Sequence, residues 1–299
     1  MIKVCFLQTS YTNDILLEHL KKMTPGRKGI WKNIEGITDP NKADFVVFID
    51  YSREWEDKVP AEKKIYIGAH AYAHSSYVNF DDKKCVAKLD QRDTFGFGEW
   101  WLDEDYDTLV AMKPPQKTKD LSCILSNERN HVNHRIRIEY MMDFCKKYPD
   151  RVDLYGRIHP ELPKEQSLAN SYKGLLGIDK GHPNWGSKYW FGKRKGLEPY
   201  KYSLEFVKRT NANYWGERFF DSMLMWCCPI YYGAIGLEKY IPKNSFVYLD
   251  VFKTTPEEII DLLNSNFREE HMTDIAEARD LMLNRYQIWG RVHGVINNL

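Results

Sequence analysis

Apolar residues arrive in short runs along the first part of the chain: IKVCFL at 2–7, ADFVVFID at 43–50 and KKIYIGA at 63–69. Between the first two, NDILLEHLKKM at 13–23 spaces its leucines as one face of an amphipathic helix. Strand, helix and strand in succession predict a parallel α/β sheet. A second set follows, with LSCILSN at 121–127 as a strand, HRIRIEYMMDFCKKYP at 134–149 as a helix stopped by Pro149, and VDLYGR at 152–157 as a strand running into a glycine. The intervening MKPPQKTKD at 112–120 carries two prolines and three lysines, which break any regular period and mark a linker.

From Pro160 to Tyr200 the chain is rich in Gly, Lys and Trp and poorly periodic, so loop and short helix are expected there. The alternation then resumes through YSLEFV at 202–207, an apolar helical run after Gly216, CPIYYGA at 228–234 and SFVYLDV at 245–251. Helical patterns at 256–265 and 269–290 close the chain. At 299 residues the chain exceeds what one core usually serves. The expected organisation is an α/β domain over 1–114, a second over 118–283, and a closing helix at 284–299 that packs back on the first. A ligand between two such domains is the natural arrangement.

Composition narrows the function classes. With 43 basic and 42 acidic residues the net charge is +1, which provides no overall pull toward nucleic acid or an anionic membrane. The six cysteines, Cys5, Cys85, Cys123, Cys145, Cys227 and Cys228, sit mostly inside apolar runs without a C-x-x-C pair, the pattern of buried free thiols in a reducing compartment. The N-terminal apolar run is too short for a signal peptide, and no run reaches the roughly 20 residues of a membrane span. A cytoplasmic protein without a membrane span is expected.

The densest chemistry lies in YWGERFFDSMLMWCCPIYYGA, 214–234. A helix starting near Gly216 directs unpaired N–H groups and its positive dipole end forward, a setting that suits a diphosphate. Arg218 adds a forked cation and Glu217 an acceptor for vicinal hydroxyls such as those of a ribose. Lys188, Lys193, Arg194, Lys195, Lys201, Lys208, Arg209 and Arg218 face only Glu198, Glu205 and Glu217 in this part of the chain, a local basic excess that fits a polyanionic ligand. The competing reading is a helix start with an ordinary acidic residue and a solvated loop.

The stretch 200–252, YKYSLEFVKRTNANYWGERFFDSMLMWCCPIYYGAIGLEKYIPKNSFVYLDVF, resembles the donor-binding motif of the α-1,3-fucosyltransferase family. Upstream, LSCILSNERNHVNHRIRIEYMMDF and VDLYGR are similar to that family's Ser-Asn…Arg and Val-Asp-x-Tyr-Gly units, and KKIYIGAHAYAHSSYVNF with CVAKLD to its catalytic segment. The resemblance covers about residues 63–252. It implies a GT-B fold, two Rossmann-like domains facing a central cleft, and inverting transfer of fucose from GDP-fucose to a glycan hydroxyl. It assigns Arg137, or the nearby Arg135, to the diphosphate, and it adds Tyr202, Asn213, Tyr214, Glu217 and Arg218 to the donor site. The positioned cations would stabilise the departing diphosphate without a required metal or other cofactor.

The chain departs from that pattern at three places. Gly68-Ala69 stands where the family has Gly-Glu, Phe206-Val207-Lys208 where it has Phe-Glu-Asn, and Arg218 where it has Lys. An inverting transfer needs a base within hydrogen-bond reach of the incoming hydroxyl. His70, with an ordinary imidazole pKa near 6.5, is the first candidate, followed by Glu99 and His74. The departures keep open another nucleotide sugar, such as UDP-xylose, and a relic that binds nucleotide or glycan without turnover. Asp103-x-Asp105 in WWLDEDYD reads as an acidic surface loop rather than a metal motif, and the two histidines of NERNHVNHR lack supporting zinc ligands. Trp185 and Trp190 are candidates to stack on a base or sugar. Acceptor specificity is expected in the loops 9–13, 24–42 and 51–60.

Overall fold

The computed structural model describes residues 1–9, 11–50, 52, 54–69, 83–89, 98–125, 132–156, 193–207 and 214–299. Two sheets organise them. The first contains β1 (Ile2–Leu7), β2 (Ile30–Trp31), β3 (Ile34–Ile37), β4 (Phe45–Ile49), β5 (Lys64–Ile67) and β6 (Ala87–Leu89), in the order β2-β3-β1-β4-β5-β6. All neighbours pair in parallel except β2 with β3. The second contains β7 (Lys119–Leu125), β8 (Asp153–Gly156), β9 (Tyr200–Phe206), β10 (Cys228–Tyr232) and β11 (Val247–Tyr248), in the order β11-β10-β9-β7-β8, with every pair parallel. Parallel strands are covered on both faces, which is why β1, β4 and β10 read as nearly continuous apolar runs.

The helices follow the amphipathic periods. The first, α1 (Asn13–Lys21), starts at Thr12, whose hydroxyl accepts the Ile15 N–H, and buries Leu16, Leu17 and Leu20. The short α2 (Tyr106–Ala111) is capped by Asp105, whose carboxylate accepts the Thr108 N–H at 3.0 Å. The longer α3 (Val132–Lys147) covers the second sheet, and α4 (Glu217–Leu224) leads into β10. Thr255 and Glu258 form a reciprocal capping box at the start of α5 (Pro256–Asn264).

Two segments differ from the sequence expectation. The stretch 24–42 supplies β2 and β3, and β3 pairs with β1. These strands have two and four residues, and Gly36 interrupts the apolar pattern where Leu17 and Trp289 press on the backbone; an added Cβ would lie 2.6 and 2.5 Å from them. The single helical pattern of 269–290 is divided into α6 (Phe267–Glu270), α7 (Met272–Leu281) and a π-turn at Met282–Tyr286, before a new helix, α8 (Ile288–Ile296). Gln287 is extended and caps α8 by accepting the Trp289 N–H at 2.8 Å. Gly98, at φ 77°, fits against this break: its carbonyl accepts the Ile288 N–H, and a Cβ there would lie 2.0 Å from the Tyr286 oxygen.

The chain's end thereby returns to the first sheet. Trp289 packs edge-on against Phe6 with centroids 4.9 Å apart, and its indole N–H donates to the Leu20 carbonyl. One continuous apolar core runs from Val4 and Phe6 through Trp289 and Met282 to Phe219 and Ile230 in the second sheet's layer.

Candidate functional site at the mouth of the fourth helix

In the second sheet the chain moves from β7 to the edge strand β8, then crosses to β9 on the other side of β7 and continues outward. The carboxyl ends of β7 and β9 therefore flank a topological switch point, where parallel α/β sheets open a crevice for ligands. Residues of α4 converge on that end. Gly216 is extended at the N-cap, Glu217 begins the helix, and Arg218 Nη1 donates to the Ile124 carbonyl near the end of β7 at 3.0 Å. Glu217 and Arg218 are 3.9 Å apart and both half-buried.

The rest of α4 explains why its mouth holds still. Phe219, Phe220, Met223 and Leu224 are buried, and the carbonyl of Leu224 and the two that follow the helix are met by cations. Arg279 Nε donates to Leu224 O at 2.9 Å, Lys117 Nζ to Met225 O at 2.7 Å, and Arg268 Nη2 to Trp226 O at 3.0 Å. Positive charge at this end opposes the negative end of the helix dipole and satisfies orphan carbonyls. Lys117, from the proline-interrupted linker, is thus a structural clamp rather than a free linker charge.

Beneath the mouth lies a buried charge layer that sequence reasoning missed. Lys193 and Asp221 form an ion pair with side chains 2% and 1% exposed. Asp221 also accepts the Trp101 N–H at 2.7 Å, tying α4 to the segment before α2. Burial pushes the Asp221 carboxyl upward, and Lys193 opposes that shift. Beside them on β9, Glu205 is 2% exposed and accepts the Ser203 hydroxyl, while its Oε2 has no hydrogen-bond partner among the described residues. Burial pushes its pKa up to about 8, against the lowering influence of Ser203, Arg218 and Lys193, so Glu205 is mostly protonated at neutral pH.

Two carboxylates from the N-terminal part of the chain, Asp50 and Glu99, are within electrostatic reach of Tyr214. Asp50 follows β4, is 7% exposed, and accepts the Ala69 N–H through Oδ1 at 2.8 Å. Glu99 accepts the Trp101 indole N–H at 2.9 Å and lies 3.2 Å from His19 Nε2. Burial lowers the His19 pKa, against the raising influence of its hydrogen bond to Glu99, and brings Lys22 down to about 8. The Tyr214 carbonyl accepts the Tyr231 hydroxyl at 2.9 Å, and its own phenol is raised by burial first, then by Glu217, Asp50 and Glu99.

The residues expected from the sequence distribute unevenly. Tyr214, Glu217 and Arg218 gather at one site, with Glu99 close enough to influence Tyr214. Arg137 is buried on α3 at 1% exposure, where it weakly opposes the burial that raises the Cys123 thiol, whereas Arg135 is exposed two residues away. Tyr202 is fully buried, and its hydroxyl accepts the Arg268 N–H at 3.2 Å, a core position that fixes the start of α6. Asn213, His70, His74, Trp185 and Trp190 lie outside the described residues.

The basic excess is smaller than its sequence count. Lys193 is paired inside the protein, and Arg194 donates to Glu198 at 2.8 and 2.5 Å and to Glu104 at 3.4 Å. Asp105 is occupied as the α2 cap, and among the described residues no three His, Cys, Asp or Glu side chains gather as metal ligands. Five of the six cysteines are buried and all are free thiols. No helix among the described residues is long and apolar enough to cross a membrane.

No protein-family profile and no curated protein matches the chain. Solved structures do. A DNA-modifying β-glucosyltransferase, whose substrate is uridine diphosphoglucose, aligns over 100% of both chains with 11% identity and a TM-score of 0.53. An α1,3-fucosyltransferase aligns over 96% of this chain and 91% of its own with 13% identity and a TM-score of 0.47. Anabaena HepE, solved with UDP-glucose, aligns over 100% and 99% with 11% identity and a TM-score of 0.49. The first likeness, with the two parallel sheets, gives the fold as GT-B: α/β, with two Rossmann-like units facing a central cleft.

Proposed function

We propose that the chain is an inverting glycosyltransferase that moves fucose from GDP-fucose to a glycan hydroxyl. The observation that carries this reading is the mouth of α4: Arg218 lies at the end of β7 beside a switch point, with Glu217 and Tyr214 next to it. These residues belong to the stretch whose order and spacing resemble the fucosyltransferase donor motif. In this reading residues 118–283 hold the nucleotide sugar, residues 1–114 the glycan, and 284–299 brace the two.

The chemistry needs no metal. As the anomeric carbon separates from the diphosphate, negative charge develops on the leaving oxygens, where Arg218 and the N–H groups of α4 stabilise it. Glu217 holds ribose hydroxyls, and the buried helix keeps the cation in place before reaction. The proposed setting is the cytoplasm, with a nucleotide sugar and a glycan as partners and no nucleic acid.

Differential scanning fluorimetry with GDP, UDP, GDP-fucose, GDP-mannose and UDP-xylose tests the reading. A ligand at 100 times its Kd stabilises the native state by about 2.7 kcal/mol, enough for a clear rise in Tm. GDP and GDP-fucose should raise Tm in the wild type and much less in Arg218→Ala. A preference for uridine nucleotides rejects fucose as the donor sugar, and no response to any nucleotide rejects the transferase reading.

A further inference from the structure

We propose that Asp50 is the general base of the transfer, the carboxylate that takes the proton from the incoming hydroxyl. The inference rests on the glycosyl-transfer reading above and adds the residue on which its proton step depends. Its location is the first argument. In the first sheet the chain runs from β1 to β3 on one side and returns as β4 on the other, so the carboxyl ends of β1 and β4 flank a second switch point. Asp50 is the residue immediately after β4 at that point.

Its conformation is the second. Asp50 has φ 60°, a left-handed backbone that aspartate and asparagine enter more readily than other residues with a side chain. The fold holds it there twice: its N–H donates to the Ile67 carbonyl at 2.8 Å, and its Oδ1 accepts the Ala69 N–H at 2.8 Å. Backbone held in a sparsely populated region by surrounding structure is characteristic of working sites. Here it fixes the carboxylate beside Ala69, the position where the sequence lacks the expected glutamate.

The third argument is what the carboxylate faces. Burial raises the Tyr214 phenol first, and the charges of Glu217 and Asp50 raise it further, so Asp50 is within electrostatic reach of the residue that precedes α4. Glu99 also reaches Tyr214, but it stands between β6 and α2 rather than at the end of a strand. Asp50 is the carboxylate whose place at a strand end suits a hydroxyl entering the cleft.

The step balances without another reactant. Asp50 accepts the hydroxyl proton as that oxygen bonds to the anomeric carbon. The bond from this carbon to the diphosphate oxygen breaks, its electron pair leaving with the nucleoside diphosphate. Asp50 then returns its proton to water. The products are the glycoside, the nucleoside diphosphate and one proton.

The test uses Asp50→Asn in the full chain. Asparagine accepts the left-handed backbone and retains an oxygen for the Ala69 N–H, but it is no base. Wild type and variant are compared for the Tm shift with GDP and UDP, and for diphosphate release from GDP-fucose, UDP-glucose and UDP-xylose, with water as acceptor. The expected result is an unchanged nucleotide shift and release slowed by about 100-fold or more, the usual range for a lost general base. Release within threefold of wild type overturns the assignment, as does loss of the nucleotide shift or the absence of release by wild type from every donor that shifts its Tm. A wild type that binds no nucleotide instead overturns the transferase reading on which the assignment rests.

Discussion

Removing the negative charge of Asp221 isolates the contribution of the buried layer under the mouth of α4. Lys193 and Asp221 are almost completely enclosed, and Asp221 also holds the Trp101 N–H. Asp221→Asn keeps an oxygen for Trp101 and removes only the charge that faces Lys193. Breaking a buried pair on one side typically costs ~3–5 kcal/mol. Against a total stability of roughly 5–15 kcal/mol, that is a large fraction.

Lys193→Met should cost less at low pH, because burial raises the Asp221 pKa and lets the stranded carboxyl take up a proton. The double variant Asp221→Asn/Lys193→Met removes both charges and should recover to within ~1–2 kcal/mol of wild type, since an apolar replacement of a buried pair is often nearly neutral. Urea unfolding at pH 7, followed by tryptophan fluorescence and far-ultraviolet circular dichroism, measures all four proteins. Coincident transitions by the two probes justify a single unfolding free energy. The reasoning is refuted if Asp221→Asn stays within 1 kcal/mol of wild type, or if the double variant is no better than the worse single one.

Two further predictions use the same fold. Glu205 has a native pKa of about 8 against an ordinary 4.5, so the native state retains a proton that the unfolded chain has lost across that window. Its contribution is therefore fully present below about pH 4.5 and is lost as pH rises toward 8, at a slope approaching ~1.4 kcal/mol per pH unit. Glu205→Gln should flatten that part of the urea stability profile, and an unchanged slope would place the titration elsewhere. At Gly233, an added Cβ would lie 2.2 Å from the Tyr231 hydroxyl and 2.5 Å from Val207 Cγ2. Gly233→Ala should cost ~1–3 kcal/mol by overpacking; it should also weaken the nucleotide-induced Tm shift, because Tyr231 holds the Tyr214 carbonyl. A full nucleotide shift in a destabilised variant would separate that bond from donor binding.

What was readable in the sequence follows the range of the forces involved. The strands β1, β4 and β10 are nearly continuous apolar runs because parallel strands bury both faces, so local composition sufficed to find them. The β2–β3 hairpin left too little pattern: its decisive contact, Gly36 against Trp289, joins residues far apart in the chain. The same distance hid the charge layer. Lys193 reads as one member of a basic cluster, and only the fold brings Asp221 to it and Arg194 to Glu104. Asp50 reads as the polar end of a strand, since neither its left-handed backbone nor its bond to Ala69 is encoded by spacing.

The helix start that carries Glu217 and Arg218 was legible for the opposite reason, because it is a local event. Their rigidity is not local: it comes from Arg279, Lys117 and Arg268 at the far end of α4. A helix held at its negative end by three cations and along its length by core aromatics presents its positive end with little freedom to reorganise. That fixed presentation is what stabilising a departing diphosphate requires, since charge placed before the reaction needs no rearrangement during it.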